Sequence, residues 1–348
     1  MGRKEDTESG AKPFPYTQGV KRMKRALGML VGILLLFGLS PGFAGPAYPN
    51  KAIDLIAPAG AGGGWDLTAR MTARALGEEK LITVPIAVTN MAGGSGAVGI
   101  AHMITRRKGD THVIAVMGSA LTGTLARQAV PYTFKDITPI AAITGDYNVI
   151  AVRKDSIFNN LRTLVDVFKR DAGLVTVAGG SAPGSLDHLA FAVMAKQQGV
   201  DATKVRYVPF GDGASAMASV LGGQTTVIST SLSETLANIE AGQIRVLAIL
   251  SPERFGGSLS NIPTAREQGI DFVFLNWRGF YMPPDMPADV VKFWEETIQK
   301  MVKTKVWSKI LDETRWAPFV LTGERLRRFL DGDLSTTQTT LRELGFIR

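Results

Sequence analysis

A glycine-rich segment near the N-terminus has the residue types and spacing of an anion-binding loop. Residues 58–66 read Pro-Ala-Gly-Ala-Gly-Gly-Gly-Trp-Asp and lie between an apolar run at 53–57 and an amphipathic run at 67–79. This order predicts a strand, a tight loop and the start of a helix. The first turn of a helix has backbone N–H groups without intrahelical partners, and the helix dipole adds partial positive charge there. Because glycine has no side chain to block the approach, the segment predicts a site for a small anion.

Four further loops repeat this arrangement. Residues 90–96 and 117–122 follow predicted strands early in the chain, and residues 179–185 and 209–213 follow predicted strands in its middle. In open α/β sheets, ligands bind beyond the carboxyl ends of the strands, where such loops meet. The early and the middle loops together predict one binding site that is enclosed by two lobes.

The apolar pattern predicts an α/β protein, because β-branched runs alternate with amphipathic runs along the chain, as in parallel sheets with crossover helices. The predicted strands are residues 53–57, 83–88, 112–116, 147–152, 174–177, 205–208, 225–229, 245–250 and 272–274. The predicted helices include residues 67–79, 98–105, 161–170, 186–198, 215–221, 233–241 and 288–304. About 300 residues exceed what one hydrophobic core usually holds, so two domains are expected.

The first 44 residues have the pattern of a secretory signal peptide with a disordered leader. A basic cluster at residues 21–25 precedes an apolar run at 26–39 and small residues at 40–44, which predicts cleavage after Ala44. The apolar run is shorter than the ~20 residues that a membrane-spanning helix needs. An uncleaved membrane anchor and a translation start at Met23 are the alternatives that the sequence leaves open.

Charge and composition exclude several classes of partner and chemistry. The 348 residues carry a formal net charge of +8, half of it within residues 1–44, and the rest is spread without a dense basic run. This distribution does not indicate a nucleic-acid partner. The absence of cysteine excludes disulfides, thiolate metal sites, a cysteine nucleophile and a lipid-modified cysteine. The sequence therefore predicts a soluble periplasmic protein without a metal or a cofactor.

Two enzyme classes are alternatives to a binding function. Residues 94–99 spell G-x-G-x-x-G after a predicted strand, as in dinucleotide-dependent oxidoreductases, but the next strand is not followed by the acidic residue that binds the ribose. For a hydrolase, the sequence lacks a G-x-S-x-G motif, and His102, His112 and His188 are not spaced as zinc ligands. Although Asp187 and His188 are adjacent, His188 is expected to be a packing or surface residue.

A set of short motifs resembles one family of receptors. The motifs are residues 48–53, 58–66, 90–99, 208–213, 221–224, 242–248 with Arg254, and 262–269. In this order they resemble the substrate-binding proteins of the tripartite tricarboxylate transporters, the Bug-type extracytoplasmic receptors. The resemblance runs from about Tyr48 to the C-terminus. Each motif alone is weak, but the ordered set is specific.

The resemblance implies a two-lobe periplasmic-binding-protein fold of type II. Each lobe is expected to be a mixed, mainly parallel sheet flanked by helices. Lobe one would comprise residues 45–149 and 278–348, and lobe two residues 150–277. Two crossing segments, near residues 148–153 and 275–280, would join the lobes.

The same resemblance implies a carboxylate ligand that is held by backbone N–H groups, hydroxyl groups and water rather than by arginine. The glycine loops themselves contain no arginine, which agrees with this expectation. Asp66 would cap the first helix or anchor its loop, and Trp65, where many relatives have a small residue, would shield the site or pack the helix. The expected ligand-binding residues are Gly62, Gly63, Gly64, Trp65, Asp66, Gly94, Ser95, Gly96, Ser119 and Thr122 from lobe one, and Ser181, Ser185, Phe210, Gly211, Gly213, Ser229 and Ser231 from lobe two.

The function that the resemblance implies is capture of a small carboxylate in the periplasm. The ligand would be a di- or tricarboxylate, with citrate or a related acid as the first choice. The closed receptor, a monomer and not an enzyme, would deliver this ligand to a separate membrane permease. Because Asp212, Ala214 and Ser215 depart from the family's usual pattern, the identity of the acid stays open, and a role as a ligand sensor is the further alternative.

Overall fold

The computed structural model describes residues 1–2 and 48–348, so the predicted signal peptide lies outside the described residues apart from its first two. Residues 48–348 contain ten strands and ten α-helices. The strands are β1 (Ile53–Ala57), β2 (Ile86–Asn90), β3 (Val113–Gly118), β4 (Thr138–Arg153), β5 (Thr176–Gly179), β6 (Arg206–Pro209), β7 (Val227–Ser231), β8 (Ile244–Ile249), β9 (Leu275–Met282) and β10 (Ala317–Thr322). The helices are α1 (Gly64–Glu78), α2 (Ala97–Arg106), α3 (Ser119–Ala126), α4 (Leu161–Arg170), α5 (Leu186–Gln197), α6 (Gly213–Leu221), α7 (Leu236–Glu240), α8 (Ala288–Met301), α9 (Lys305–Thr314) and α10 (Gly323–Glu343). Within the described part of the chain, none of these helices is long and apolar enough to cross a membrane.

Strand β4 joins the two halves of the sheet because it is long enough to belong to both. Residues 138–147 of β4 pair antiparallel with β9, and residues 148–152 pair antiparallel with β7. Strands β10 and β8 pair with β4 as well, one in each half. The strand order is β2-β1-β3-β9-β4-β7-β5-β6.

Each half of the sheet contains three parallel strands that place their loops at one edge. Strand β1 pairs parallel with β2 and β3, and β5 pairs parallel with β6 and β7. Every residue of β3 is buried, which is typical of a parallel strand covered by helices on both faces. The loops after β1, β2, β5 and β6 lead directly into helices, so both halves present helix N-termini at the carboxyl ends of their parallel strands.

Separate hydrophobic cores stabilise the two halves. One core packs β1, β3 and β9 against α8 and α9 and includes Trp294, Trp307 and Trp316. The second half has two core clusters, one on each side of its sheet. In one of them Phe168 and Phe191 pack edge to face, with ring centroids 5.6 Å apart.

Two differences from the predicted elements affect the site. A strand was expected at residues 272–274, but the strand is β9, which begins at Leu275 and continues to Met282 through Asn276 and Arg278. These polar residues interrupt the apolar pattern because they pair with other buried polar groups. Residues 119–126 form helix α3 rather than a loop, since their small and apolar side chains are buried against both halves.

Candidate functional site

A cavity of about 410 Å³ lies where glycine loops from both halves of the sheet meet. Its walls combine glycine backbone, apolar side chains and four charged residues. The lining residues are Pro58, Ala59, Gly63, Gly64, Trp65, Ala92, Gly93, Gly94, Ser95, Ala120, Gly180, Ser181, Ala182, Pro183, Leu186, Asp187, Pro209, Phe210, Gly211, Asp212, Gly213, Ser231, Glu234, Asn276 and Arg278. The first residues of α1, α5 and α6 are among them, and so is the loop that precedes α2.

The structure brings most of the predicted site residues together at this cavity. Those that line it are Gly63, Gly64, Trp65, Gly94, Ser95, Ser181, Phe210, Gly211, Gly213 and Ser231. Those that do not are Gly62, Asp66, Gly96, Ser119, Thr122, Ser185 and Ser229. Several members of the second group, namely Asp66, Ser119, Thr122, Ser185 and Ser229, form hydrogen bonds with other groups of the protein.

In the first loop, the glycine N–H groups already have acceptors. Gly62 donates to the carboxylate of Asp66 at 2.9 Å, and Gly63 donates to the carbonyl of Gly60 at 3.2 Å. Gly64 donates to Oε1 of Glu234 at 2.7 Å. The predicted donors are therefore present, but in this structure each is satisfied by the protein itself.

Asp66 anchors the first loop and does not cap helix α1. Its carboxylate accepts hydrogen bonds from Gly62, from Nε of Arg70 and from Nδ2 of Asn90, each at 2.9 Å. Burial alone would raise the pKa of Asp66, but these three hydrogen bonds outweigh burial and lower it. The residue that precedes the helix is Gly63, whose conformation is extended and which has no side chain to form a cap.

The second loop has an unusual backbone that only glycine adopts easily. Gly93, Gly94, Ser95 and Gly96 have φ values of +148°, +58°, +53° and +92°. Ser95 tolerates this left-handed conformation while its Oγ accepts a hydrogen bond from the N–H of Ala182 at 2.8 Å. This bond crosses the cavity from the first half of the sheet to the second.

In the second half, the loops after β5 and β6 pack backbone to backbone. A Cβ on Gly180 would lie 2.5 Å from the nitrogen of Gly213 and 2.6 Å from the carbonyl carbon of Asp212, so glycine is needed at this contact. Asp212 caps helix α6 by accepting a hydrogen bond from the N–H of Ser215 at 2.7 Å. These contacts fix the positions of Phe210, Gly211 and Gly213 at the cavity wall.

Four of the predicted hydroxyl ligands make structural hydrogen bonds. Ser119 Oγ accepts from the N–H of Trp277 at 3.1 Å, and Thr122 donates to Asp333 at 2.7 Å. Ser185 donates to the carbonyl of Ala120 at 3.0 Å, and Ser229 donates to the carbonyl of Asp187 at 2.9 Å. Their direct contact with a ligand stays a prediction.

Arg278 corrects the expectation that the site contains no cation. Its Nη2 lies 2.8 Å from Oδ2 of Asp146 and 3.1 Å from Oγ of Ser231, and its Nη1 lies 3.1 Å from the carbonyl of Gly64. The guanidinium is therefore already paired with a carboxylate. It also crowds the start of α1, where a Cβ on Gly64 would lie 2.5 Å from Nη2.

Asp187 lies in the cavity wall and has a strongly shifted pKa. Burial and, to a smaller extent, the negative charge of Glu234 together raise its pKa to about 7. Its carboxylate accepts hydrogen bonds from the N–H of Ser181 at 3.0 Å and from Nδ2 of Asn148 at 3.3 Å. Near neutral pH the cavity can therefore take up or lose a proton at this residue.

His188 is a packing residue, as predicted. Its ring stacks between Tyr207 and Phe346, with centroid distances of 4.5 and 4.6 Å. Nδ1 accepts a hydrogen bond from the N–H of Gly184 at 2.9 Å. Burial and the charge of Arg127 lower its pKa to about 4, so the ring is neutral at physiological pH.

Replacing Asp187 by asparagine tests the shifted pKa. Between about pH 4 and 7 the folded wild type holds a proton that the unfolded chain has released, so wild-type stability falls relative to Asp187→Asn as pH rises through this window. We expect a slope of about 1 kcal/mol per pH unit in the difference between their free energies of unfolding. Urea denaturation of both proteins at several pH values measures this difference. Both proteins contain His188, so its contribution to the pH dependence of stability cancels in the difference. A difference that does not change between pH 4 and 7 would contradict the assignment.

The polar residues of the cavity wall that the sequence did not reveal as part of the site are Asp187, Asp212, Glu234, Asn276 and Arg278. Asp187 and Asp212 lie beside glycine loops, but their carboxylates are acceptors, whereas a negatively charged ligand requires donors. Asn276 and Arg278 carried a signal, because they are polar positions within an otherwise apolar strand. Glu234 carried none, since its contact with Gly64 joins residues that are 170 positions apart.

Comparisons with known proteins agree with this geometry. The family model described as tripartite tricarboxylate transporter family receptor matches residues 69–346. BugT of Bordetella pertussis is 24% identical over 326 residues, which cover 91% of this chain and 97% of BugT. The solved structure of periplasmic binding protein BugD is 22% identical with a TM-score of 0.76, and covers 86% of this chain and 99% of its own. An R. palustris protein solved with adipate is 22% identical with a TM-score of 0.77, and covers 86% of this chain and 98% of its own.

The structural likeness confirms the predicted periplasmic-binding-protein fold. The family model covers most of the chain, and the family consists of receptors. The chain therefore belongs to the tripartite tricarboxylate transporter receptor family, and it is a solute-binding receptor rather than an enzyme.

Proposed function

We propose that the protein captures a small di- or tricarboxylate, such as citrate, in the cavity between its two lobes. Lobe one comprises residues 45–149 and 278–348, and lobe two comprises residues 150–277. The observation that carries this proposal is the convergence of helix N-termini: α1, α5 and α6 begin at the cavity wall, and the loop before α2 lines it too. Helix N-termini concentrate backbone N–H donors and partial positive charge, which favour carboxylates.

The size of the cavity and a structural neighbour support the same class of ligand. About 410 Å³ is enough for an acid with four to six carbon atoms together with water. The R. palustris neighbour was solved with adipate, a six-carbon dicarboxylate. The likeness to that protein shows a shared fold, and we extend it to the class of ligand as part of the proposal.

The contacts between the lobes suggest how binding and closure are coupled. The hydrogen bonds that cross the cavity region include those from Ala182 to Ser95, from Ser185 to Ala120 and from Gly64 to Glu234. A ligand stabilises such a closed arrangement only as far as it binds that arrangement better than the open one. We propose that the closed receptor, a soluble periplasmic monomer, then delivers the acid to the membrane permease of a tripartite transporter.

A thermal-shift screen of the purified protein tests the class of ligand. The panel contains citrate, tricarballylate, malate, succinate, adipate, glutamate and terephthalate, and each acid that stabilises the protein is compared with its amide. A ligand at 100 times its dissociation constant adds about 2.7 kcal/mol, which raises the melting temperature of a chain of this size by several degrees. We expect at least one acid to stabilise the protein while its amide does not. If no acid stabilises the folded protein, or if the amide acts as strongly as the acid, the proposed ligand class is wrong.

A further inference from the structure

Glu234 places a carboxylate of the protein at the N-terminus of helix α1. The residue lies in the short turn after β7 and reaches across the cavity. Its Oε1 accepts a hydrogen bond from the N–H of Gly64 at 2.7 Å. Its Oε2 accepts a hydrogen bond from the hydroxyl of Thr230, also at 2.7 Å. Both oxygens of the carboxylate are therefore held, one by each half of the sheet.

The surroundings of this carboxylate match those expected for a bound anion. Gly64 is the first residue of α1, where backbone N–H groups and the helix dipole favour negative charge. A Cβ on Gly213, the first residue of α6, would lie 2.8 Å from Oε1 of Glu234. The carboxylate thus lies between two helix N-termini. Because Gly213 at the start of α6 has no side chain, there is room for the carboxylate of Glu234.

Glu234 is not part of the first loop, unlike the residues that accept hydrogen bonds from Gly62 and Gly63. The acceptors of Gly62 and Gly63 lie within four residues along the chain, so they belong to the loop's own structure. The acceptor of Gly64 is 170 residues away and lines the cavity. A ligand carboxylate can take the place of Glu234 without unfolding the loop.

We propose that Glu234 is an internal competitor whose carboxylate is displaced from Gly64 when a ligand carboxylate binds. This inference rests on the proposed function, because it concerns the same cavity and a carboxylate ligand. Glu234 then sets the affinity of the site, since a ligand must exchange one charge-assisted hydrogen bond for another. It also bridges the lobes when no ligand is bound.

The proposal predicts that Glu234→Gln binds acids more tightly. Glutamine keeps the shape of the side chain, but a neutral amide oxygen is a weaker acceptor for the N–H of Gly64, and the competing charge is gone. We expect the affinity for succinate to rise about tenfold. The gain is larger for citrate than for succinate, because the displaced carboxylate stays near Asp187 and Asp212 and repels a ligand of higher charge more strongly.

Isothermal titration of the full chain with succinate and citrate measures these affinities. Glu240→Gln is the matched control, because it removes the same charge from an exposed residue of the neighbouring helix α7. Thr230→Val is the second test, because it removes the other support of Glu234 and should give a smaller gain of the same sign. If Glu234→Gln binds these acids equally well or more weakly than wild type, the competitor role is wrong.

A measurement without ligand separates this proposal from the proposed function. Since the chain has no cysteine, spin labels can be attached through Arg106→Cys and Lys169→Cys, two exposed positions on α2 and α4. We expect a longer and broader label-to-label distance in ligand-free Glu234→Gln than in ligand-free wild type. If no acid binds either protein, the proposed ligand class fails and this distance alone decides the role of Glu234. Equal distances in that case overturn the proposal.

Discussion

Replacing Arg278 by methionine lowers the free energy of unfolding by about 3–5 kcal/mol. The side chains of Arg278 and Asp146 are 1% and 0% exposed, and Nη2 lies 2.8 Å from Oδ2. Burial raises the pKa of Asp146, and the charge of Arg278 opposes this rise. Without the guanidinium, the buried carboxylate must either stay charged without its partner or take up a proton. Urea denaturation at pH 7 measures the loss.

Two further variants show whether the loss comes from the unpaired charge. Arg266→Met is the matched control, because Arg266 and Asp271 are also 2.8 Å apart but are exposed, and it should change stability by less than about 1 kcal/mol. The double variant Asp146→Asn/Arg278→Met should recover part of the stability, since it leaves no buried charge behind. A loss in Arg278→Met as small as that in Arg266→Met would contradict the large cost that we expect from an unpaired buried carboxylate.

Replacing Gly94 by valine lowers the affinity for the bound acid at least about 100-fold. Gly94 has φ +58°, which a β-branched residue adopts poorly, and a Cβ there would lie 2.8 Å from Cβ of Ala97. The loop before α2 must then change its course, and its N–H groups move away from the ligand. Loss of two hydrogen bonds to a charged group, at about 1.5–3 kcal/mol each, accounts for this magnitude. Isothermal titration with the acid identified by thermal shift measures the change.

Gly109→Val separates a local effect from general strain. Gly109 has φ +72°, but no atom lies within 4 Å of its Cβ position, and it belongs to the turn between α2 and β3, outside the cavity wall. This variant should have a comparable backbone penalty and an unchanged affinity. Equal affinities of Gly94→Val and wild type would exclude ligand binding by the N–H groups of this loop.

The glycine loops and the fold class could be predicted because their signals are local. A glycine-rich run such as residues 60–64 favours a loop whatever the rest of the chain does. Buried strands such as β1 show their apolar pattern in a few residues. The alternation of these strands with helices then places the loops at one edge of a sheet. Predicted residues such as Gly63, Ser95, Ser181 and Gly213 line the cavity for this reason.

The pairing of the charged residues at the site could not be predicted because it depends on contacts between distant residues. Arg278 lies in β9, which pairs with β4, and its partner Asp146 is 132 positions away. Predicted hydroxyl ligands such as Thr122 turned out to bond protein groups, because a hydroxyl's partner is set by packing rather than by sequence spacing. The boundaries of the two lobes and the signal peptide stay predictions.

The measurement that tests the central claim most directly is a crystal structure of the protein with the acid that stabilises it most. We expect one carboxylate of the ligand to lie about 2.7–3.2 Å from backbone nitrogens at the start of α1 or in the loop before α2, with Glu234 displaced from Gly64. An acid bound outside the cavity, or bound within it with its carboxylates directed away from the helix N-termini, would contradict the account.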